Sequence, residues 1–285
     1  MPSTLETCTS SSRPASPAAG DTLFETDTKK IITYSGTDWY LYDADGGETV
    51  TNAKALDFDG TDDALTVAGS SALDLNVNFT ISGWFKTDSN VAWSAIAGWG
   101  ENASKQFRGF GLNAANQLVF NNYGDFFDPN NASTISTGTW YHGVATLQSN
   151  AANSNVLATV YLNGAFDSGK VETSSPLTAF TYSNTEIGGS NCGGGEHFDG
   201  KIDGVAIWNT VLSPKEITAI YNSGVASFNL GGNTGNYNSA GSLVGWWRMG
   251  DGTEAGSVPT IYDMSSNSNN MTMVSAPSYV TDVPS

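Results

Sequence analysis

The chain is short of basic residues, of cysteine, of helix formers and of long apolar runs, and each shortage removes a class of function. Only 11 of its 285 residues are Lys or Arg against 28 Asp and Glu, a net charge of −17. The basic residues do not cluster beyond Lys29 and Lys30, so there is no footprint for the phosphates of nucleic acid, and an anionic membrane surface is disfavoured for the same reason. No apolar stretch approaches the roughly 20 residues of a membrane-spanning helix. The first residues, MPSTLETCTSSSRPASP, have neither a basic start nor an apolar segment, so no secretory leader is expected. The lipobox-like LETC at 5–8 lacks that segment too. Cys8 lies in a Ser/Thr/Pro-rich tail and Cys192 in SNCGGGEH, which supports neither a metal-ligand pair nor a disulfide framework.

What the chain has instead is turns and aromatics: 32 Gly, 8 Trp, 11 Tyr and 13 Phe against 14% charged residues. That balance predicts an all-β fold, and the length suits one two-sheet sandwich with additions. The stretch FDGKIDGVAIWNTVLSPKEITAIYNSG, residues 198–224, joins a strand to a short helix. Ser213 reads as the N-cap, Pro214 as the first helical residue and Glu216 as the partner in a capping box. Ile217, Ile220 and Tyr221 form one apolar face, and Asn222 to Gly224 end the helix.

This string resembles the closing motif of the laminin-G-like, concanavalin-A-like jelly rolls. Further landmarks follow in that family's order: ALDFDGTDDALTV at 55–67, FTISGWFKT at 79–87, TWYHGVATL at 139–147, VYLNGAF at 160–166 and EIGGS at 186–190. The resemblance implies a two-sheet antiparallel jelly-roll sandwich over residues 51–228. Trp84, Trp140 and Trp208 fall in strand patterns and are expected in its core. In the family a tryptophan-bearing strand and an Asp-x-Ser-x-Asn segment come first. Here Trp246, Trp247, Asp263, Ser265 and Asn267 come last, so residues 229–285 are expected to complete the sandwich in permuted order.

Residues 1–50 run from a Pro/Ala lead into short alternating strands at about 22–26, 30–34 and 38–42. Such a meander is too small to stand alone and must pack on something. Its pattern resembles a short module of phage tail fibres and other virion proteins. With no export signal read, the expectation is a virion-surface structural protein of a bacterial virus, a capsid decoration or tail fibre. It would attach through residues 1–50 to other virion proteins or sister subunits, as a homo-oligomer or bound to a lattice. The alternatives are a hydrolase or lyase of the same fold, or a carbohydrate-binding module of a secreted protein.

Glucan-cutting jelly rolls use carboxylates at alternate positions of one strand, in the pattern Glu-x-Asp-x-x-Glu. It is absent, no Gly-x-Ser-x-Gly turn is present, and no catalytic residue is assigned. His142, within a strand, reads as a partly buried structural residue. The family resemblance implies a structural calcium, whose matching ligands are Asp59 and Asp63, with Asp62 beside them, and Asp203 of the closing strand; turn capping is the alternative role. Surface glycans bind on loop aromatics aided by polar groups. The candidates are Trp99, Tyr123, Phe126, Phe127 and His197.

Overall fold

A computed structural model describes the chain apart from residues 1–5, 10, 19–20, 26–29, 35–38, 43–48, 101–106, 122–125, 128–131, 151–154, 173–183, 190–196, 253–258 and 285. The N-terminal segment holds β1 (Glu6–Cys8), β2 (Thr22–Glu25), β3 (Lys30–Tyr34) and β4 (Trp39–Tyr42). These pair in the order β1-β2-β3-β4, with β1 parallel to β2 and the others antiparallel. The three expected strands are present, and β1 is an addition that the sequence pattern did not show.

The sandwich begins with β5 (Ala55–Asp59), β6 (Ala64–Ala68), β7 (Phe79–Thr87), β8 (Ala95–Gly100) and β9 (Phe107–Leu112). It continues through β10 (Leu118–Asn121), β11 (Phe126–Phe127), β12 (Tyr141–Asn150), β13 (Asn155–Leu162), β14 (Ala165–Glu172), β15 (Asn184–Ile187) and β16 (Asp199–Trp208). Helix α1 (Pro214–Tyr221) follows, and the chain closes with β17 (Leu243–Trp247), β18 (Thr260–Ile261), β19 (Met271–Val274) and β20 (Ser278–Val280). One sheet has the order β14-β13-β12-β7-β16-β5-β20, with β17 added on β16; the other runs β11-β10-β9-β8-β15-β6-β19-β18.

Alternation decides which side chains the sheets share. Leu56 and Phe58 of β5 point inward and are buried, whereas Asp57 and Asp59 between them are not. Ile81 and Phe85, Ala145 and Leu147, and Ile202, Val205 and Ile207 join them in the core between the sheets. The opposite face of β16 also stays dry, because α1 and the segment that follows it lie over it. Ala206 and Trp208 pack there with Ile217, Ile220, Phe228, Tyr237, Leu243 and Trp246 in a second core. Two of its polar groups pair internally: Trp208 Nε1 donates to Tyr237 Oη at 2.9 Å, and that hydroxyl donates to Leu230 O at 3.0 Å.

The expected helix start is present in full. Ser213 N donates to Glu216 Oε2 at 2.8 Å and Glu216 N to Ser213 Oγ at 3.3 Å, while Asn222 ends the helix in the left-handed region at φ 49°. Of the tryptophans expected inside, Trp84 and Trp208 are 5% and 0% exposed. Trp140 is a correction. It precedes β12 rather than lying within it, so its half-buried indole reaches the rim and donates Nε1 to Asp282 at 3.0 Å.

The C-terminal strands enter both sheets. One edge of β16 pairs with β5 along Asp199–Ile202 and with β17 along Val205–Trp208. β19 pairs with β6 in the other sheet and β20 pairs with β5. Trp247, Ile261 and Met271 are fully buried in the main core. Removing several such side chains at about 2–5 kcal/mol each exceeds a typical net stability. A chain ending at residue 241 should therefore aggregate and show no cooperative unfolding transition, and a soluble fragment with a sharp denaturant midpoint would contradict this account.

Candidate functional site

The outer face of the β18-side sheet carries a polar row fixed by strand register. Thr260 pairs with Thr272, Thr272 with Thr66, Thr66 with Glu186, Glu186 with Gly98 and Gly98 with Gly109. Their neighbours Ile261, Met271, Leu65, Thr185 and Ile187 are buried inward, so alternation turns the row outward. At strand spacings of about 4.8 Å the line from Thr260 to Glu186 is about 14 Å long, the scale of a short oligosaccharide.

The row ends against an aromatic ring. A Cβ on Gly98 would meet Phe107 Cζ at 2.7 Å, and one on Gly109 would meet Phe107 Cε1 at 2.3 Å, so the ring can lie flat on the sheet only because both positions are glycine. Glu186 stands beside this wall, and burial raises its pKa while His197 pulls it back. Gly189 separates the two side chains, since a Cβ there would lie 3.5 Å from Glu186 Oε2 and 3.6 Å from His197 Cε1. His197 Nδ1 sits 3.2 Å from Asp63 O, which links the row to the acidic turn after β5.

In that turn Asp59, Asp62 and Asp63 offer ligand atoms within 4.8 Å of one another. Asp59 Oδ1 also accepts from Thr61 N at 2.8 Å and Asp63 Oδ2 from Asp59 N at 3.1 Å. The Thr61 amide accounts for most of the depression of the Asp59 pKa, whereas burial raises that of Asp63. Three hard oxygen donors in one turn fit a divalent cation, and each also suits turn capping.

Asp203 does not belong to this set. Asp199 pairs with Asp59, and Asp203 lies four residues further along β16, about 13 Å away. It is 1% exposed on the helix-covered face, in a cavity of ≈ 20 Å³ lined also by Asn52, Ser82, Trp84, His142 and Arg248. Neither Asp203 oxygen, nor Asn52 Nδ2, nor His142 Nδ1 has a partner in hydrogen-bonding geometry among the described residues. A cavity of this size with polar walls has room for about one water. Burial pushes the Asp203 carboxyl up to about 8 and the His142 imidazole down to about 3, so both are uncharged near neutrality. His142 is thus buried rather than partly buried, its ring tilted 40° to that of Trp84 at 4.8 Å.

Trp99 is a second correction. Glycines flank it in sequence, but β8 turns its indole inward. It is 1% exposed, packs edge-on against Phe79 at 4.9 Å and donates Nε1 to Leu75 O at 3.0 Å, so it presents no surface to a sugar. Phe126 and Phe127 form β11 beside β10. Tyr123 lies outside the described residues. Glu186 escaped the sequence reading because its signal, EIGGS, was absorbed as a fold landmark.

The model for the Concanavalin A-like lectin/glucanases superfamily matches residues 59–218, more than half of the chain. The chain belongs to that superfamily. A search of curated proteins finds no match. Among solved structures, a protein from Bacteroides ovatus described as carbohydrate-binding aligns with a TM-score of 0.60 at 16% identity, over 94% of this chain and 71% of that one. Domain 4 of an extracellular arabinanase from Geobacillus stearothermophilus, in complex with arabinotriose, aligns at 0.48 and 18% identity over 62% and 80%. The carbohydrate-binding module of a Ruminococcus gnavus sialidase, bound to sialyllactose, aligns at 0.46 and 15% over 61% and 99%. The first of these likenesses shows a shared fold.

The two acidic regions predict opposite responses. Asp203 holds its proton from its ordinary value of 3.8 up to about 8 in the folded state. The stability tied to that proton is complete below about pH 4 and is lost as pH rises through about 8. Asp203→Asn should therefore raise the melting temperature at pH 8 by the equivalent of a few kcal/mol, a gain that shrinks toward pH 4. A lower melting temperature at pH 8 would show that the carboxylate is paired in solution. At the turn, excess calcium should raise the melting temperature and EDTA lower it, with Asp62→Asn removing the effect; if calcium changes nothing, the aspartates only form the turn.

Proposed function

We propose that the protein is a non-catalytic, glycan-binding sandwich whose ligand lies across the strands on the Thr260–Thr272–Thr66–Glu186 row. The observation that carries this reading is the row itself: outward hydroxyls in register lead to one half-buried carboxylate. Sugar hydroxyls donate to a carboxylate and exchange hydrogen bonds with threonines. The Bacteroides protein, with which the fold is shared over nearly the whole chain, is described as binding carbohydrate.

The competing reading is hydrolysis, which needs a second carboxyl about 5–9.5 Å from the first across the scissile bond. Among the described residues Glu186 is the row's one acid. Asp57 is held by Lys201 at 3.5 Å, Asp88 by the same lysine at 2.9 Å, and Asp282 by Lys86 at 2.5 Å. Those pairs lie on or beside the other sheet, and of the acids in the turn linked to the row, Asp59 and Asp63 are tied to backbone amides.

The N-terminal sheet supports a role in attachment. Among the described residues its four strands pair only with one another, so it is a unit distinct in pairing from the sandwich. In this reading residues 1–50 dock the protein on sister subunits or on the surface of a bacterial-virus particle, and the sandwich presents its polar row to host-surface glycans.

On a panel of neutral and acidic polysaccharides, the full chain should bind at least one member without releasing reducing ends. Glu186→Gln should weaken that binding about tenfold or more, a loss of roughly 1.4 kcal/mol. Binding should also fall on acidification at a pH above the ordinary glutamate range. Reducing ends released by the wild type but not by Glu186→Gln would make the protein an enzyme. Deleting residues 1–45 should leave glycan binding intact and abolish assembly; continued assembly would remove the attachment role.

A further inference from the structure

At Glu186 the polar row opens into a notch. A Cβ on Gly189 would lie 2.8 Å from Ala64 Cβ, 3.5 Å from Glu186 Oε2 and 3.6 Å from His197 Cε1, and glycine leaves that space open. His197 Nδ1 sits 3.2 Å from Asp63 O; a carbonyl only accepts, so Nδ1 carries the hydrogen. In the neutral ring the other nitrogen, Nε2, is then an acceptor, and it is bonded to the Cε1 that borders the notch. Thr66 stands opposite Glu186 across β6 and β15, close enough for its hydroxyl to accept from the same ligand group. Three acceptors from three segments thus surround one gap.

The charges around the notch are of one sign. Among the described residues no hydrogen bond or ion pair engages the Glu186 carboxylate, and burial raises its pKa, so a cation beside it would hold it ionised. The acidic turn with Asp59, Asp62 and Asp63 lies behind His197. Positive charge is kept elsewhere: Lys86, Lys170 and Lys201 stand on β7, β14 and β16 of the other sheet, and Lys215 on α1. On the strands of the row's own sheet the one Lys or Arg is Arg108, which is 0% exposed and donates to Asn76 through Nε and Nη2. A carboxylate-bearing ligand would meet like charge here with no counter-ion, whereas a cation would meet an unpaired one.

We infer that the notch takes a primary ammonium group, whose three N–H donors meet Glu186, His197 Nε2 and the Thr66 hydroxyl. An ammonium has three donors and no acceptor, the complement of a site that offers a carboxylate, an imidazole lone pair and a hydroxyl oxygen. A divalent metal ion matches less well, because the notch supplies one carboxylate where calcium takes six to eight oxygens. The inference rests on the glycan-binding reading and narrows it: the group that decides selection is an amine, as on a de-N-acetylated amino sugar, and acidic glycans are turned away.

Chitobiose, N,N′-diacetylchitobiose and cellobiose share their linked rings and differ at C2, in amine, acetamide and hydroxyl. In calorimetric titrations of the full chain, chitobiose should bind about tenfold or more tighter than the other two. Glu186→Gln should bring that ratio near one, and His197→Gln should reduce it, both at an unchanged melting temperature; if the first variant does not fold, the second carries the test. A cation drawn only by the net charge of −17 would keep its affinity in both variants. A ratio near one in the wild type, or one that survives in the folded variants, would overturn the ammonium site. Cellobiose binding that still depends on Glu186 would then leave the glycan reading standing. Cadaverine distinguishes the source of the amine: bound as tightly as chitobiose and with the same dependence on Glu186, it would keep the ammonium site and overturn the glycan reading. No binding of any of the four would overturn both.

Discussion

β16 is the constraint on which the rest of the molecule depends, because it serves two hydrophobic cores and three neighbouring strands. Its inward face contributes Ile202, Val205 and Ile207 to the interior between the sheets, and its outward face contributes Ala206 and Trp208 to the layer under α1. A strand buried on both faces has no side left for water, so its flanks must be dry as well. β7 covers one edge, while β5 and β17 divide the other. The shift in pairing between Asp203 and Ala206 falls at the changeover from β5 to β17, and a strand that must satisfy two partners on one edge has reason to bend there.

Burying polar groups in such a place is tolerated only with partners, and the two aspartates next to β16 show the alternatives. Asp263, 8% exposed, accepts four hydrogen bonds and holds the hairpin turn against β17. Asp203, 1% exposed, has none in suitable geometry, and burial raises its pKa so that it stays protonated near neutrality. The same residue type therefore anchors one site by accepting four bonds and stands in the other as a buried neutral acid. Position makes the difference: Asp263 begins a turn where amides converge, and Asp203 sits at the pairing shift of β16 on its covered face.

Much of this fold was legible in the residues. The alternation in ALDFD gives the inward Leu56 and Phe58, and the Ser213–Glu216 capping box marks the helix start to the residue. Displaced Trp246, Trp247 and Asp263 mark strands that pair with partners far earlier in the chain. Trp99 and Trp140 were misread for one reason, the placing of strand ends: Trp99 reads as a loop aromatic but lies in β8, and Trp140 reads as a strand residue but precedes β12. Asp203 failed as a partner for Asp59 because nearness in motif says nothing about distance along a strand. Glu186 was missed because its companions, Thr66, Thr260, Thr272 and Gly98, come from four separate segments of sequence.

That dispersal also explains why the row is robust as a site. Each member lies one strand away from the next, held by backbone ladders rather than by loops, so its geometry follows from sheet register alone. Register in turn is pinned by the inward residues, since a slip of one position would carry Leu65, Ile187 and Met271 out to solvent and Thr66, Glu186 and Thr272 into the core. The energetic penalty for such a slip is set by side chains that never touch a ligand. The C-terminal hairpin supplies half of the row, Thr260 and Thr272, while the part of the chain that matches the superfamily supplies Thr66 and Glu186. A sandwich closed by its own C-terminal strands thus builds the polar face from the same pairings that exclude water from its interior.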